Sequence, residues 1–196
     1  MRRALLAASL ALVPSLAFAH PGLPGHSHDL MGGFVHPLGG VDHVVAMVAV
    51  GLLAAQLGGR ALWLVPASFV AMMAAAGLAA MNGIAVPMAE AGIALSIVVL
   101  GGAIALRVAL PVAAAMAMVG FFAIFHGYAH GLETPTTASG LLYGLGFVAG
   151  TALLHGLGIA VGLATARLDG AFGRNMVRVA GSVAVVVGLA MLAGTV

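Results

Sequence analysis

Six long apolar stretches limit what this chain can fold into. A helix of about 20 residues, rising about 1.5 Å per residue, crosses a hydrocarbon core of about 30 Å. We assign one transmembrane helix to each of the stretches 37–57, 61–81, 87–106, 111–131, 140–164 and 176–195. Only 6% of the residues are charged and 63% are hydrophobic, whereas soluble domains carry roughly a quarter charged residues. The sequence therefore predicts an all-α polytopic membrane protein, with a six-helix domain over residues 36–196.

The first 19 residues have the pattern of a cleavable signal peptide. Arg2 and Arg3 precede an apolar run from Ala4 to Val13, and Ala17-Phe18-Ala19 forms a small-residue cleavage site. Cleavage before His20 would leave residues 20–35 as an external tail that contains histidines. The sequence has no cysteine, so neither disulfides nor thiolate ligands are expected.

The arginines predict the orientation in the membrane. If the mature chain starts outside, its first, third and fifth connections are cytoplasmic and should carry the basic residues. They hold Arg60, Arg107 and the group Arg167, Arg174 and Arg178, while the second and fourth connections hold none. We therefore expect both mature termini outside a bacterial inner (cytoplasmic) membrane. The few basic residues form no stripe for tracking phosphates, which argues against nucleic-acid binding.

Eight histidines outnumber the five acidic residues. Two sequence motifs contain most of the histidines that lie near the membrane. The first runs from His36 to His43, includes Asp42, and opens the first span. The second holds His126, His130 and Glu133 at the end of the fourth span, within a helical sector of roughly 60°. With the predicted orientation, both motifs lie at the outer face of the membrane.

Ionisable residues at membrane depth indicate function, because each costs at least ~2.5 kcal/mol to insert. Imidazole and carboxylate ligands without sulfur suit nickel, cobalt, zinc or iron(II). Other interpretations remain open for individual residues. His36 can simply sit at the helix mouth, and Asp42 and His43 can satisfy one another. Glu133 can be a solvated loop carboxylate just past the helix end, which favours a role in supporting the ligands or in entry over direct binding.

Two further histidines extend the candidate path. His155 lies deep in the fifth span, where it either hydrogen-bonds a carbonyl group or forms a second station for a permeating ion. His20 would become the mature N-terminus, where its amine and imidazole can chelate a metal, with His26 and His28 nearby. The alternative is a leader whose histidines are incidental.

These motifs resemble the HupE/UreJ family of small nickel permeases, which are associated with hydrogenase and urease maturation. The resemblance rests on the stretches His36 to His43 with Ala46 and Met47, Phe125 to Gly131 with Glu133, and Leu154 to Gly158. It implies import of Ni²⁺, or of Co²⁺, with His36, Asp42, His43, His126, His130 and Glu133 in the family's motif positions.

We therefore expect a passive or secondary permease for a divalent metal, rather than an enzyme, with no bound prosthetic group. The sequence has no P-loop, and its cytoplasmic connections are too short for an ATPase domain. Two alternatives use the same histidines. One is an intramembrane metalloenzyme that activates water, and the other is a bis-histidine haem protein.

Overall fold

The structure, a computed structural model, describes residues 29–134, 138–168 and 170–194. Within these ranges the chain is helical and contains no strand. Its helices are α1 (Leu30–Gly39), α2 (Val41–Leu57), α3 (Ala61–Met81), α4 (Ala89–Ala105), α5 (Val112–Glu133), α6 (Ala138–Ala166) and α7 (Gly170–Leu192). The expected signal peptide and His20, His26 and His28 lie outside the described residues.

The predicted first span is divided into two helices that meet at a bend of 87°. Helix α1 begins after Asp29, whose carboxylate accepts the Gly32 N–H at 2.8 Å. Helix α2 begins after Gly40, which has an extended backbone. Paired glycines have low helix propensity and are common at sharp kinks. The helix expected from Pro37 therefore starts seven residues earlier and breaks at Gly40, so His36 and His43 lie on different helices.

The described helices make this a multi-pass membrane protein. Helices α3, α5, α6 and α7 are long and apolar enough to cross a membrane, and the bent pair α1 and α2 makes a fifth candidate span. Helix α4 is apolar but has only 17 residues. The expected spans match α3, α4 and α5 closely. Helix α7, however, begins at Gly170, so Arg174 and Arg178 lie on it rather than in a loop.

Helix α2 is the centre of the bundle and contacts every other helix. Its middle is buried from Ala46 to Ala54 except at Val48, around fully buried Met47, Val50 and Leu53. The most extensive pairings elsewhere are α3 with α5 and α4 with α7, and α6 packs against both α1 and α2. Large apolar side chains on the outer surface, such as Trp63, Leu78 and Val186, are exposed as expected for contact with lipid.

Glycines on α6 let it approach α1 and α2 closely. A Cβ atom on Gly146 or Gly150 would collide with the backbone of α1, and one on Gly158 would collide with that of α2. Such close contact is the usual role of small residues between membrane helices. It positions His36 and His43 against the face of α6 that carries Thr151.

The two ends of α2 have different chemistry. Its first turns carry Asp42 and His43, whereas Gln56, near its other end, lines a cavity of about 260 Å³ together with Arg107 and Arg174. At 1.5 Å per residue, His43 and Gln56 are about 20 Å apart along the helix. The histidines and the arginines therefore lie toward opposite ends of the bundle.

Candidate metal-ion site

Glu133 joins the two histidine motifs at the end of α5. Its Oε2 atom lies 3.1 Å from His36 Nε2 and 3.4 Å from His130 Nδ1. Each of these three residues offers one ligand atom, and the three atoms lie within 4.8 Å of one another. A single ion can therefore be held by two imidazoles and one carboxylate after small side-chain adjustments. We call His36, His43, His130 and Glu133 the His–Glu cluster.

His43 continues the cluster inward as a chain of hydrogen bonds. His130 Nε2 lies 3.2 Å from His43 Nδ1, and His43 Nε2 lies 3.3 Å from Thr151 Oγ1. The Glu133 carboxylate can only accept, so His130 donates from Nδ1 and has a lone pair on Nε2. With neutral rings, His43 then donates from Nδ1 and accepts from the Thr151 hydroxyl at Nε2. Each link fixes the tautomer of the next and holds the rings in place, and an ion that binds the cluster replaces one or more of these hydrogen bonds.

An aromatic wall on α6 holds these rings in place. The Phe147 ring centroid lies 4.6 Å from that of His130, 5.1 Å from that of His43 and 5.8 Å from that of His36. Tyr143 packs against His36 from one turn earlier, at 5.8 Å. Rings at these distances contribute packing energy and restrict side-chain rotation. The wall therefore limits the rotamers of the three histidines.

Exposure falls steadily through the cluster. The Glu133 side chain is 51% exposed, His36 is 33% exposed and His130 is 19% exposed. His43 is only 1% exposed. An ion arriving from water at Glu133 would thus exchange its hydration shell for protein ligands one after another. The cluster therefore extends from an exposed carboxylate to a buried imidazole.

Two more histidines lie deeper in the core. The His126 ring is 5.5 Å from that of His43, and its Nε2 atom is 3.1 Å from Ser96 Oγ on α4. The Phe69 ring on α3 contacts both His126, at 5.5 Å, and His155, at 5.4 Å. Histidine rings therefore reach from the exposed cluster to buried His155, with the Phe69 ring linking the last two.

Comparison with known proteins decides the family. The HupE / UreJ protein family model matches residues 8–191. The chain is also 46% identical to Protein HupE of Rhizobium leguminosarum bv. viciae over 187 residues, which is 95% of each chain. The chain belongs to the HupE / UreJ family. This confirms the resemblance inferred from the histidine motifs. No solved structure matches the chain.

The structure brings some of the predicted residues of this HupE / UreJ protein together and leaves others apart. His36, His43, His130 and Glu133 form the cluster, and His126 and His155 lie behind it. Asp42 lies in the first turn of α2, where its carboxylate turns back toward Gly40. A carboxylate there is favoured by the positive end of the helix dipole. His20 lies outside the described residues.

Sequence reasoning missed the residues that hold the histidines. Thr151 and Ser96 each hydrogen-bond one histidine, and Phe147 packs on three. Buried hydroxyl groups within apolar spans are a usable signal, because polar groups at membrane depth need partners. Phe147 carries no comparable signal, since one phenylalanine among apolar residues does not reveal what it touches.

Proposed function

We propose that this protein is an inner-membrane permease that imports Ni²⁺, or Co²⁺, for the maturation of hydrogenase or urease. The observation that carries this proposal is the gradient of the His–Glu cluster, from half-exposed Glu133 to buried His43. Family membership supports the same conclusion. Imidazole with one carboxylate is a donor set that nickel and cobalt accept readily.

Entry begins at the external end. In the proposal, His20 of the mature tail captures the ion, and Glu133 with His36 and His130 receives it. Water is then replaced by His43 and Asp42 at the start of α2, after the Asp42 side chain turns from Gly40. A permeation site must also release its ion, so moderate affinity is expected. The ion next passes His126 and His155 on its way inward.

The proposed topology has six spans, with both mature termini outside. The bent pair α1 and α2 serves as the first span, and the short helix α4 as the third. Arg60, Arg107 and Arg174 then face the cytoplasm, which follows the positive-inside rule. The His–Glu cluster, toward the other end of α2, faces the outside, where a scarce metal arrives.

The proposal is tested by nickel uptake in bacterial cells that lack their own nickel importers. Expression of the wild-type chain should raise the initial rate of radiolabelled nickel uptake under metal limitation. It should also raise the activity of a co-expressed urease, which reports delivery to the cytoplasm. Uptake no greater than that of cells with an empty vector, with the protein present in the membrane, would contradict the proposed function.

A further inference from the structure

His126 is held in one tautomer by Ser96. The Ser96 hydroxyl donates its only hydrogen to the Ile93 carbonyl oxygen, at 2.6 Å. Its oxygen must therefore accept from His126 Nε2, 3.1 Å away. The neutral imidazole then has its lone pair on Nδ1. That atom is buried and has no hydrogen-bond partner, so it is free to bind a ligand.

His155 is buried with both ring nitrogens unpartnered. It is 2% exposed, and neither Nδ1 nor Nε2 makes a hydrogen bond. Buried polar groups are nearly always hydrogen-bonded, because an unmade bond costs free energy. His126 shares this feature at Nδ1, and both rings pack on Phe69. The unpartnered nitrogens of His126 on α5 and His155 on α6, whose rings both contact Phe69, are therefore available to bind a ligand.

The donor atoms differ between the surface and the interior. The His–Glu cluster offers the Glu133 carboxylate, whereas no carboxylate in the described parts of the chain hydrogen-bonds His126 or His155. Oxygen-rich sites suit Mg²⁺ and Mn²⁺, while imidazole suits nickel, cobalt, zinc and copper. An ion that has lost its hydration shell is stable between these residues only if their nitrogen atoms replace the lost water ligands.

We propose that His126, through Nδ1, and His155 form a second metal station that selects imidazole-preferring divalent ions after the His–Glu cluster has admitted them. The assignment rests on the proposed function, since it concerns ions that the permease carries. The cluster at the surface captures divalent ions with little discrimination, because its carboxylate binds hard cations too. The buried station rejects those that need oxygen ligands. Ions are therefore captured at the His–Glu cluster and selected at the buried station.

The test compares the uptake of radiolabelled nickel and radiolabelled manganese by cells expressing His155→Asn. The amide is neutral and offers a hard oxygen donor in place of the imidazole nitrogens. The ratio of nickel to manganese uptake should therefore fall at least about ten-fold, which is the smallest loss of affinity or activity typical when groups around a bound metal are changed. His155→Gln provides a second variant, and the amount of protein in the membrane is measured for both. Thr165→Val, which removes a hydroxyl on α6 already bonded to its own helix, is the control.

Nickel binding to the purified protein provides an independent readout. In His155→Asn, binding at the His–Glu cluster should retain the wild-type affinity while the uptake ratio falls. An unchanged ratio would overturn the inference, whether nickel uptake is retained or reduced. If wild-type protein imported no nickel at all, the proposed function itself would fail, which is a distinguishable result.

Ser96 offers a test of the tautomer argument. Ser96→Ala removes the acceptor for His126 Nε2–H, so the ring can change tautomer and nickel uptake should fall several-fold. Ser96→Thr keeps the hydroxyl and should restore uptake. Equal uptake by Ser96→Ala and wild type would contradict the role assigned to His126 Nδ1, and so would a loss that Ser96→Thr fails to restore.

Discussion

A methyl group at Gly131 should disturb the His–Glu cluster by forcing two helices apart. Gly131 lies on α5 between His130 and Glu133 and faces α3. A Cβ atom there would lie 2.5 Å from the Gly77 carbonyl oxygen and 2.9 Å from the Ala80 Cβ atom. Ordinary contacts begin at about 3.4 Å, so the helices must separate by about 0.9 Å at this point. The obstacle is mainly backbone, which cannot rotate away as a side chain can.

The expected cost follows from this displacement. Overpacking of this kind destabilises a protein by about 1–3 kcal/mol. The hydrogen bond between His130 and His43 is 3.2 Å long, so a shift of this size at the end of α5 is enough to break it. Nickel uptake by Gly131→Ala should therefore fall about ten-fold, as when the support of a metal ligand is lost.

The assay compares Gly131→Ala with Gly120→Ala in the same helix. A Cβ atom at Gly120 meets only the flexible Met72 side chain, at 3.2 Å, so that variant should keep wild-type uptake and stability. Initial rates of radiolabelled nickel uptake are normalised to protein in the membrane, and thermal unfolding is measured in detergent. Equal uptake and equal unfolding temperatures for the two variants would refute the reasoning.

Two further substitutions test the hydrogen-bond chain. Glu133→Gln retains the side-chain shape but removes the charge that His36 and His130 share, so the nickel concentration for half-maximal uptake should rise about 10–100-fold. Concentration-dependent uptake rates measure this change. Thr151→Val removes the hydroxyl that orients His43, which should cost about 1 kcal/mol of stability and reduce uptake several-fold. Unfolding and uptake measured on the same preparations check both effects.

Each of these two predictions has its own opposing outcome. An unchanged half-maximal concentration in Glu133→Gln would show that the carboxylate takes no part in capture. For Thr151→Val the matched control is Thr165→Val, whose hydroxyl bonds only to its own helix. If both threonine variants retained full uptake, the inference that Thr151 orients His43 would be wrong.

The helices and the two motifs were predictable because they depend on local pattern. Apolar length identified α3, α4 and α5 almost to the residue, since each is bounded by glycine, proline or arginine. The helical sector correctly grouped His130 with Glu133, which the structure places 3.4 Å apart. These inferences need only the geometry of a single helix.

The features that the sequence did not reveal depend on how helices meet. The bend at Gly40 places His36 and His43 on different helices, whereas the continuous apolar pattern predicted a single straight span through the paired glycines. The approach of α6 brings Thr151 and Phe147 to His43 from more than a hundred residues along the chain. The start of α7 at Gly170 was missed because charged residues resemble a loop, although Arg174 lines a cavity and Arg178 donates to the Ala105 carbonyl oxygen from the first turns of this helix.

The central claim, that His43 lies on the path of a permeating nickel ion, is tested most directly with purified protein in liposomes. Nickel entry is followed with a metal-sensitive dye trapped inside, so cellular metabolism does not contribute. Wild-type protein should admit nickel, and His43→Ala should lower the initial rate at least about ten-fold at equal protein content. Equal initial rates for wild type and His43→Ala would contradict the account.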